Sequence, residues 1–396
     1  MRRAVRRSNA VASLVVLASV VLAACGGTND APTARTTVYR WGVVGNRGAI
    51  TRLERNRPTA IAGIKGKVVQ IATSNSDGYA LTSTGAVYGW GVNSYGELGD
   101  GHLTPYETEA VKVDFPAGIT ITRLANPMPF DAGLAISSTG HPWAWGLNGD
   151  GDLCQSGLIE SRPHEVPLAA VTLVTGARTH TLFDSHGTVY ACGSADAGEL
   201  GNGSTASTST PVPVTGLPHG VTVSALTSSW EGSGALLANG DYYDWGYNAA
   251  GQLGDGTTTN SPVPVKVNLT GPVTQVFQGG SGPTNGQTIA ILKDKSAWMW
   301  GSNNRGQLGN GTRTNSDLPV RVHVPKGVTF MNVSSGGFAS YAIDRTGRLW
   351  AWGDNRRGQL GIGSHHNAEK LPADVGIHVS QVSATAQNVA ALELRS

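Results

Sequence analysis

The dipeptide Trp-Gly returns at Trp41, Trp90, Trp145, Trp245, Trp300 and Trp352, with Cys192-Gly193 standing in at the one missing place. The steps are about fifty residues, a period that belongs to proteins built of repeated structural units rather than one irregular core. A glycine opening the tetrapeptide G-x-L-G follows every anchor from the second onward at the same distance, at Gly96, Gly151, Gly198, Gly251, Gly306 and Gly358. One copy departs, GDLC, where Cys154 holds the last place. An apolar residue precedes each of these anchors at a constant offset: Leu81, Ile136, Phe183, Leu236, Ile291 and Ile343.

Within a repeat, YALTSTGAVYGWG places two runs of β-branched and aromatic residues around a Thr-Gly turn, the pattern of a hairpin. The turn glycine recurs as Gly85, Gly140, Gly187, Gly240 and Gly347. Lys295 holds that place in the fifth copy, which predicts a turn of another type there. A further strand lies upstream (VVQIATS, VTLVTGA, VTFMNVS) and a Pro/Val strand such as PVPVKV follows G-x-L-G. Four strands per repeat and no helical periodicity predict an all-β fold of propeller blades. The last apolar strand, NVAALELRS, stops at Ser396 before its turn, and TTVYRWG lacks a hairpin partner upstream. Pairing these N- and C-terminal strands in one blade gives a seven-bladed β-propeller over residues 36–396, closed with no free edge. In this scheme G-x-L-G is a structural loop, its glycines permitting tight backbone and its leucine plugging between strands, and the anchor tryptophans pack between blades.

The copies VYGWGVNSYGELGDG, WGYNAAGQLGDG and WGSNNRGQLGNG resemble the regulator of chromosome condensation repeat family of seven-bladed propellers, over residues 36–396. The resemblance implies the fold and leaves the function open, because a propeller's work sits in its loops. The family often carries a histidine three residues before the Ala of its Ala-Leu strand. Counted along the sequence, that place holds Asp77, Ala132, Thr179, Gly232, Gln287, Ala339 and Asn388.

The first 24 residues have a basic start, an apolar stretch from Val11 and the tetrapeptide Leu22-Ala23-Ala24-Cys25, which resembles a bacterial lipobox. This predicts a signal peptide over residues 1–24, lipidation of Cys25, a flexible tether over 25–35 and a bacterial protein exported to the cell envelope and held at the membrane by lipid alone. The net charge of the whole sequence is +2; losing Arg2, Arg3, Arg6 and Arg7 leaves a mature protein near −2 with no Lys/Arg cluster. That balance excludes nucleic acid as the expected partner, since such binding rests on phosphate neutralisation. The family's nuclear nucleotide-exchange role is not expected of an exported protein. Two cysteines remain, Cys154 and Cys192, on adjacent blades, and they are either bridged or two buried thiols.

No enzyme signature appears: there is no nucleophile elbow, Walker loop or zinc spacing, and no cofactor is expected. Asn148-Gly149-Asp150-Gly151-Asp152 looks like a calcium loop, but Leu153 and Ile159 stand where glycine and Glu are required, so no metal is assigned. The loops entering each Ala-Leu strand should ring one face around the axis. Their occupants include Phe130-Asp131, Ala177-Arg178, Trp230-Glu231 and Phe338. Aromatics beside charges on turns have the character of a protein-binding hot spot. The expected function is therefore a non-enzymatic cell-surface propeller that binds a protein of the envelope through Phe130, Asp131, Arg178, Trp230, Glu231 and Phe338. The alternative is binding, or less readily cleavage, of cell-wall or extracellular polysaccharide, with Asp131 and Glu231 as the paired carboxylates that cleavage would need.

Overall fold

The computed structural model describes residues 36–44, 53–280, 282, 285–364, 368–385 and 388–393. The predicted leader, Cys25 and tether lie outside them, as do Ala386 and Gln387 of the loop ring.

Seven four-stranded antiparallel sheets make up the described residues. Six are consecutive in sequence: residues 68–112, 121–165, 171–213, 223–266, 273–321 and 330–378, here the first to sixth blades. The seventh takes its two inner strands, Gln381–Ala384 and Asn388–Glu393, from the C-terminal end and its two outer strands, Thr37–Val44 and Leu53–Ala60, from the N-terminal end. Thr37 pairs with Glu393 and Gly42 with Asn388, so the ring closes by backbone hydrogen bonding as the sequence predicts.

The first strand of each blade is innermost, packing on its neighbours around the axis. The second strand is buried along its whole length in all six consecutive blades, from Asp77–Thr82 to Ala339–Asp344. Being covered on both faces by adjacent blades, such strands can carry small and apolar residues at consecutive positions, as in AGLAIS and GSGALL. The fourth strands remain open edges, against the expectation that closure would leave none. Each contains a proline: Pro58, Pro105, Pro163, Pro211, Pro262, Pro319 and Pro372. Lacking an N–H, proline interrupts the donor row that a foreign strand could extend.

G-x-L-G is the clasp between blades. The indole N–H of Trp145 donates to the Glu97 carbonyl, Trp245 to Glu199, Trp352 to Gln307 and Trp41 to Gln359, each at 2.8 Å. Each acceptor is the x residue of the preceding blade. The second glycine lies flat against the same indole: a Cβ on Gly309 would sit 2.7 Å from Trp352 Nε1, and one on Gly254 2.8 Å from Trp300. The leucines Leu98, Leu153, Leu200, Leu253, Leu308 and Leu360 are fully buried beneath. At one joint, Cys154 replaces the second glycine and Cys192 the tryptophan, and the two form a disulfide.

Two sequence expectations are corrected by register. Lys295 does not change the turn type: it adopts φ +70 and its N–H donates to the Leu292 carbonyl, as the Gly85 N–H does to Thr82. The third blade instead has the tighter hairpin, a two-residue turn at His186-Gly187 with both φ positive and Ser185 paired to Thr188. That shortening moves the register by one residue. His180, not Thr179, pairs with Gly193 as Asp77 does with Gly91 and Gln287 with Gly301. The histidine of the repeat family is therefore present in one blade, where its Nε2 lies 2.7 Å from Ser233 Oγ of the next blade. Burial holds its pKa down at about 4, so the ring is neutral.

Candidate functional site at the axial mouth

The loops that follow the innermost strands converge at one end of the axis, and residues from all seven blades line the opening there, from Asn75 and Phe130 round to Ser335 and Thr385. Hydrogen bonds to backbone carbonyls fix three of these loops against one another. The Phe130 N–H donates to the Ala177 carbonyl at 3.0 Å, and the Thr179 hydroxyl donates to the Trp230 carbonyl at 3.3 Å. The second, third and fourth blades thus present Phe130, Arg178 and Trp230 as neighbours.

Their side chains form one cluster. The Phe130 and Trp230 rings meet edge to face with centroids 5.4 Å apart. The Arg178 guanidinium lies 4.1 Å from the Trp230 centroid and 5.8 Å from that of Phe130. All three are half-buried, so the cluster is held in place yet reaches solvent. Stacking on a ring face suits a guanidinium, which is planar and weakly hydrated. Glu231 is also half-buried; burial pushes its carboxyl up, while a hydrogen bond from the Trp230 side chain and the Arg178 charge hold it down in part.

The other expected contact residues stand apart. Phe338 is half-buried on its own loop and makes no ring contact with the Phe130–Trp230 pair. Asp131, in left-handed backbone at φ +58, is only 8% exposed and faces inward toward Asp77 and Glu97. Among the described residues Asp131 lies near Asp77, Glu97 and Asp152, whereas Glu231 lies near Arg178, Asp196 and Glu199. The calcium-like stretch is the repeat's own loop: the Asn148 side chain accepts from the Leu153 N–H and donates to Gln155 and Gly157. Asn93, Asn248, Asn303 and Asn355 cap the same loop elsewhere through the equivalent bond.

Sequence reading missed two features of this end. Inside the mouth, hydroxyl pairs join inner strands of adjacent blades, Thr73 to Ser383 at 2.9 Å and Thr175 to Ser228 at 2.8 Å. Beneath it, Asp77, Glu97 and Asp131 crowd together, and burial pushes the Glu97 carboxyl up to about 7. The run of Ser and Thr at the ends of the inner strands was the available signal for the first; no local pattern announces the second.

This architecture defines a class of closed seven-bladed propeller whose distinctive surface is a ring of loops. Residues 186–236, 239–282, 294–343 and 346–392 match the Regulator of chromosome condensation (RCC1) repeat, and 332–359 match a second profile of the same description. The protein carries RCC1 repeats in a seven-bladed propeller. Among solved structures it is similar to human WBSCR16, with a TM-score of 0.78 at 21% identity over 90% of this chain and 98% of that one. It is likewise similar to Prp20p from Saccharomyces cerevisiae, with a TM-score of 0.75 at 20% identity over 92% and 93%. By sequence it is 27% identical over 335 residues to the human E3 ubiquitin-protein ligase HERC2, covering 81% of this chain but 7% of that protein. It is also 27% identical over 322 residues to the ultraviolet-B receptor UVR8 of Arabidopsis thaliana, covering 78% of this chain and 70% of UVR8.

Proposed function

We propose that this propeller is a non-enzymatic binding protein that docks another protein on the loop face around the axial mouth. The observation that carries this reading is the Phe130–Arg178–Trp230 cluster: aromatic and arginine side chains of the kind enriched at interfaces, fixed by neighbouring loops and open to solvent. Protein binding by propellers of this shape supports it, since Prp20p was studied for its binding to Gsp1p and histones and was solved bound to Kap60. Space at the mouth is about 40 Å³, room for a few waters rather than a sugar ring, which favours a protein over a polysaccharide threaded into the opening.

The lipobox-like Cys25 and the apolar leader support a bacterial cell surface as the place of this binding. Replacing Cys25 by Ala and fractionating the cells tests that part: the protein should leave the membrane fraction, and retention there would refute lipid anchoring.

For the partner, the domain from Thr36 onward is used as bait in an envelope extract beside a folded Phe130→Ala/Trp230→Ala/Phe338→Ala variant. A protein retained by the wild type and lost by the variant supports the loop face. Equal retention by both would place binding on another surface.

A further inference from the structure

Arg178 is the only charged side chain among the described residues that line the mouth. The other lining groups are glycines, small hydroxyl residues, amides and apolar side chains. Within this neutral collar the guanidinium is the one charge, with Glu231 beside it, although the sequence beyond the predicted leader is weakly acidic as a whole.

Beyond its contact with the two rings, the guanidinium has donors to spare. No ion pair or hydrogen bond is made by its N–H groups among the described residues. Glu231, its charged neighbour, is stabilised by the Trp230 side chain and by Arg178's field rather than by a bonded pair. Elsewhere in the molecule an arginine beside a carboxylate does bond, as Arg356 to Asp354 at 2.9 Å and 3.0 Å. The guanidinium carbon is held 4.1 Å from the Trp230 centroid, and its N–H groups are not spent on an acceptor among the described residues. A planar fork with two parallel donors fits a carboxylate in bidentate fashion. The space beside it, about 40 Å³, admits a group of that size and little more.

We propose that Arg178 is the receptor for one carboxylate of the partner protein, an Asp or Glu side chain or a free C-terminus inserted at the axial mouth, with Trp230 and Phe130 covering the flanking apolar stem. This rests on the loop-face reading and specifies the chemistry of the segment that docks there.

The test uses the full-length protein and arrays of fluorescent peptides in three matched forms: one internal Glu with an amidated end, no Glu with a free C-terminal carboxylate, and the Gln, amidated control. Anisotropy gives the affinities, and the change in tryptophan emission that is lost in Trp230→Phe reports occupancy of the cluster. One acid-bearing form should bind about tenfold or more tighter than its neutral control, the scale of a charge-assisted hydrogen-bonded pair. Arg178→Gln should erase that preference, and Arg178→Lys, which keeps the charge without the planar fork, should restore only part of it. Which form is preferred tells a side chain from a C-terminus. The proposal falls if acid and neutral peptides bind alike, if no peptide binds, or if the preference survives in Arg178→Gln. It falls also if millimolar inorganic phosphate displaces the acidic peptides completely, which would make this a small-anion site. In each of those cases the loop-face reading still stands or falls separately, on whether Phe130→Ala/Trp230→Ala/Phe338→Ala loses the envelope partner.

Discussion

Cys154 and Cys192 are bridged at the joint between the second and third blades, in the two places that Gly309 and Trp352 hold between the fifth and sixth. The substitution is matched on both sides. Cys154 keeps the positive φ of the glycine it replaces, at +58, and the Cys192 sulfur lies 3.6 Å from the Asp152 carbonyl where an indole N–H would donate. A covalent link thus stands where the other joints rely on ring packing. Reduction should lower stability by about 2–4 kcal/mol, read as a fall in Tm on adding reductant. The double variant Cys154→Gly/Cys192→Trp should be insensitive to reductant and recover much of that loss, because Thr181 lies opposite Cys192 as Thr288 lies opposite Trp300. A Tm unmoved by reductant would show that the bridge contributes nothing.

The glycines of the clasp are required by contact as well as by conformation. Gly309→Ala would place a methyl 2.7 Å from the Trp352 ring at φ +63, and about 2–4 kcal/mol of destabilisation is expected from overpacking and left-handed strain together. Gly327 has φ +80 with nothing within 4 Å of its added methyl, so Gly327→Ala should cost about 1 kcal/mol. Urea melts of the two variants separate the contributions; equal losses would rule out the ring contact as the reason for glycine.

Lys295 holds φ +70 in a turn that glycine makes in most other blades. Lys295→Gly relieves that strain without removing a buried contact, since Lys295 is exposed. A gain of about 1 kcal/mol is expected, measured by chemical denaturation, and a loss would mean that the lysine side chain itself stabilises the turn.

Burial raises the Glu199 carboxyl from 4.5 to about 7. With the folded value above the unfolded one, the native state binds the extra proton between those pH values. Stability is therefore highest below about pH 4.5 as far as this group is concerned and declines as pH rises through 7. Gln252, Gln307 and Gln359 occupy the same loop position, and their side-chain oxygens accept the same type of backbone N–H that Glu199 accepts from Ala197 at 2.9 Å. Glu199→Gln should leave stability unchanged below about pH 4.5 and raise it above pH 7 by roughly 1–3 kcal/mol. Thermal melts across that range check the sign; identical pH profiles for the two proteins would contradict it.

The blade count and the structural role of G-x-L-G were legible because each is written in residues close along the sequence, and the closing strands because each end of the propeller lacks a hairpin partner. Gly85 to Trp90 and Trp90 to Gly96 are spacings within one repeat, and every repeat from the second anchor onward restates the latter. Counting along the sequence failed where one turn is shorter. Asp184 pairs with Val189 as Leu81 pairs with Val87, so the apolar Phe183, nine residues before Cys192, matched by offset but not by register and hid His180 behind Thr179. Lys295 was misread for a related reason: a turn's type is decided by its hydrogen bonds, which tolerate a strained lysine when the flanking strands are held on both sides.

Phe130, Arg178 and Trp230 could each be placed on the loop ring from the repeat register. Their meeting in one cluster could not, and neither could the burial of Asp131 nor the separation of Phe338. The repeat, the blade and the ring follow from sequence alone, because strand patterning and turn residues act over distances the backbone sets directly. Which side chains meet across blades follows from packing, both at the axial mouth and in the clasp, where Trp145 reaches the Glu97 carbonyl. Such contacts depend on how far each blade turns from the next, and they join residues about fifty positions apart only when seven sheets pack around one axis.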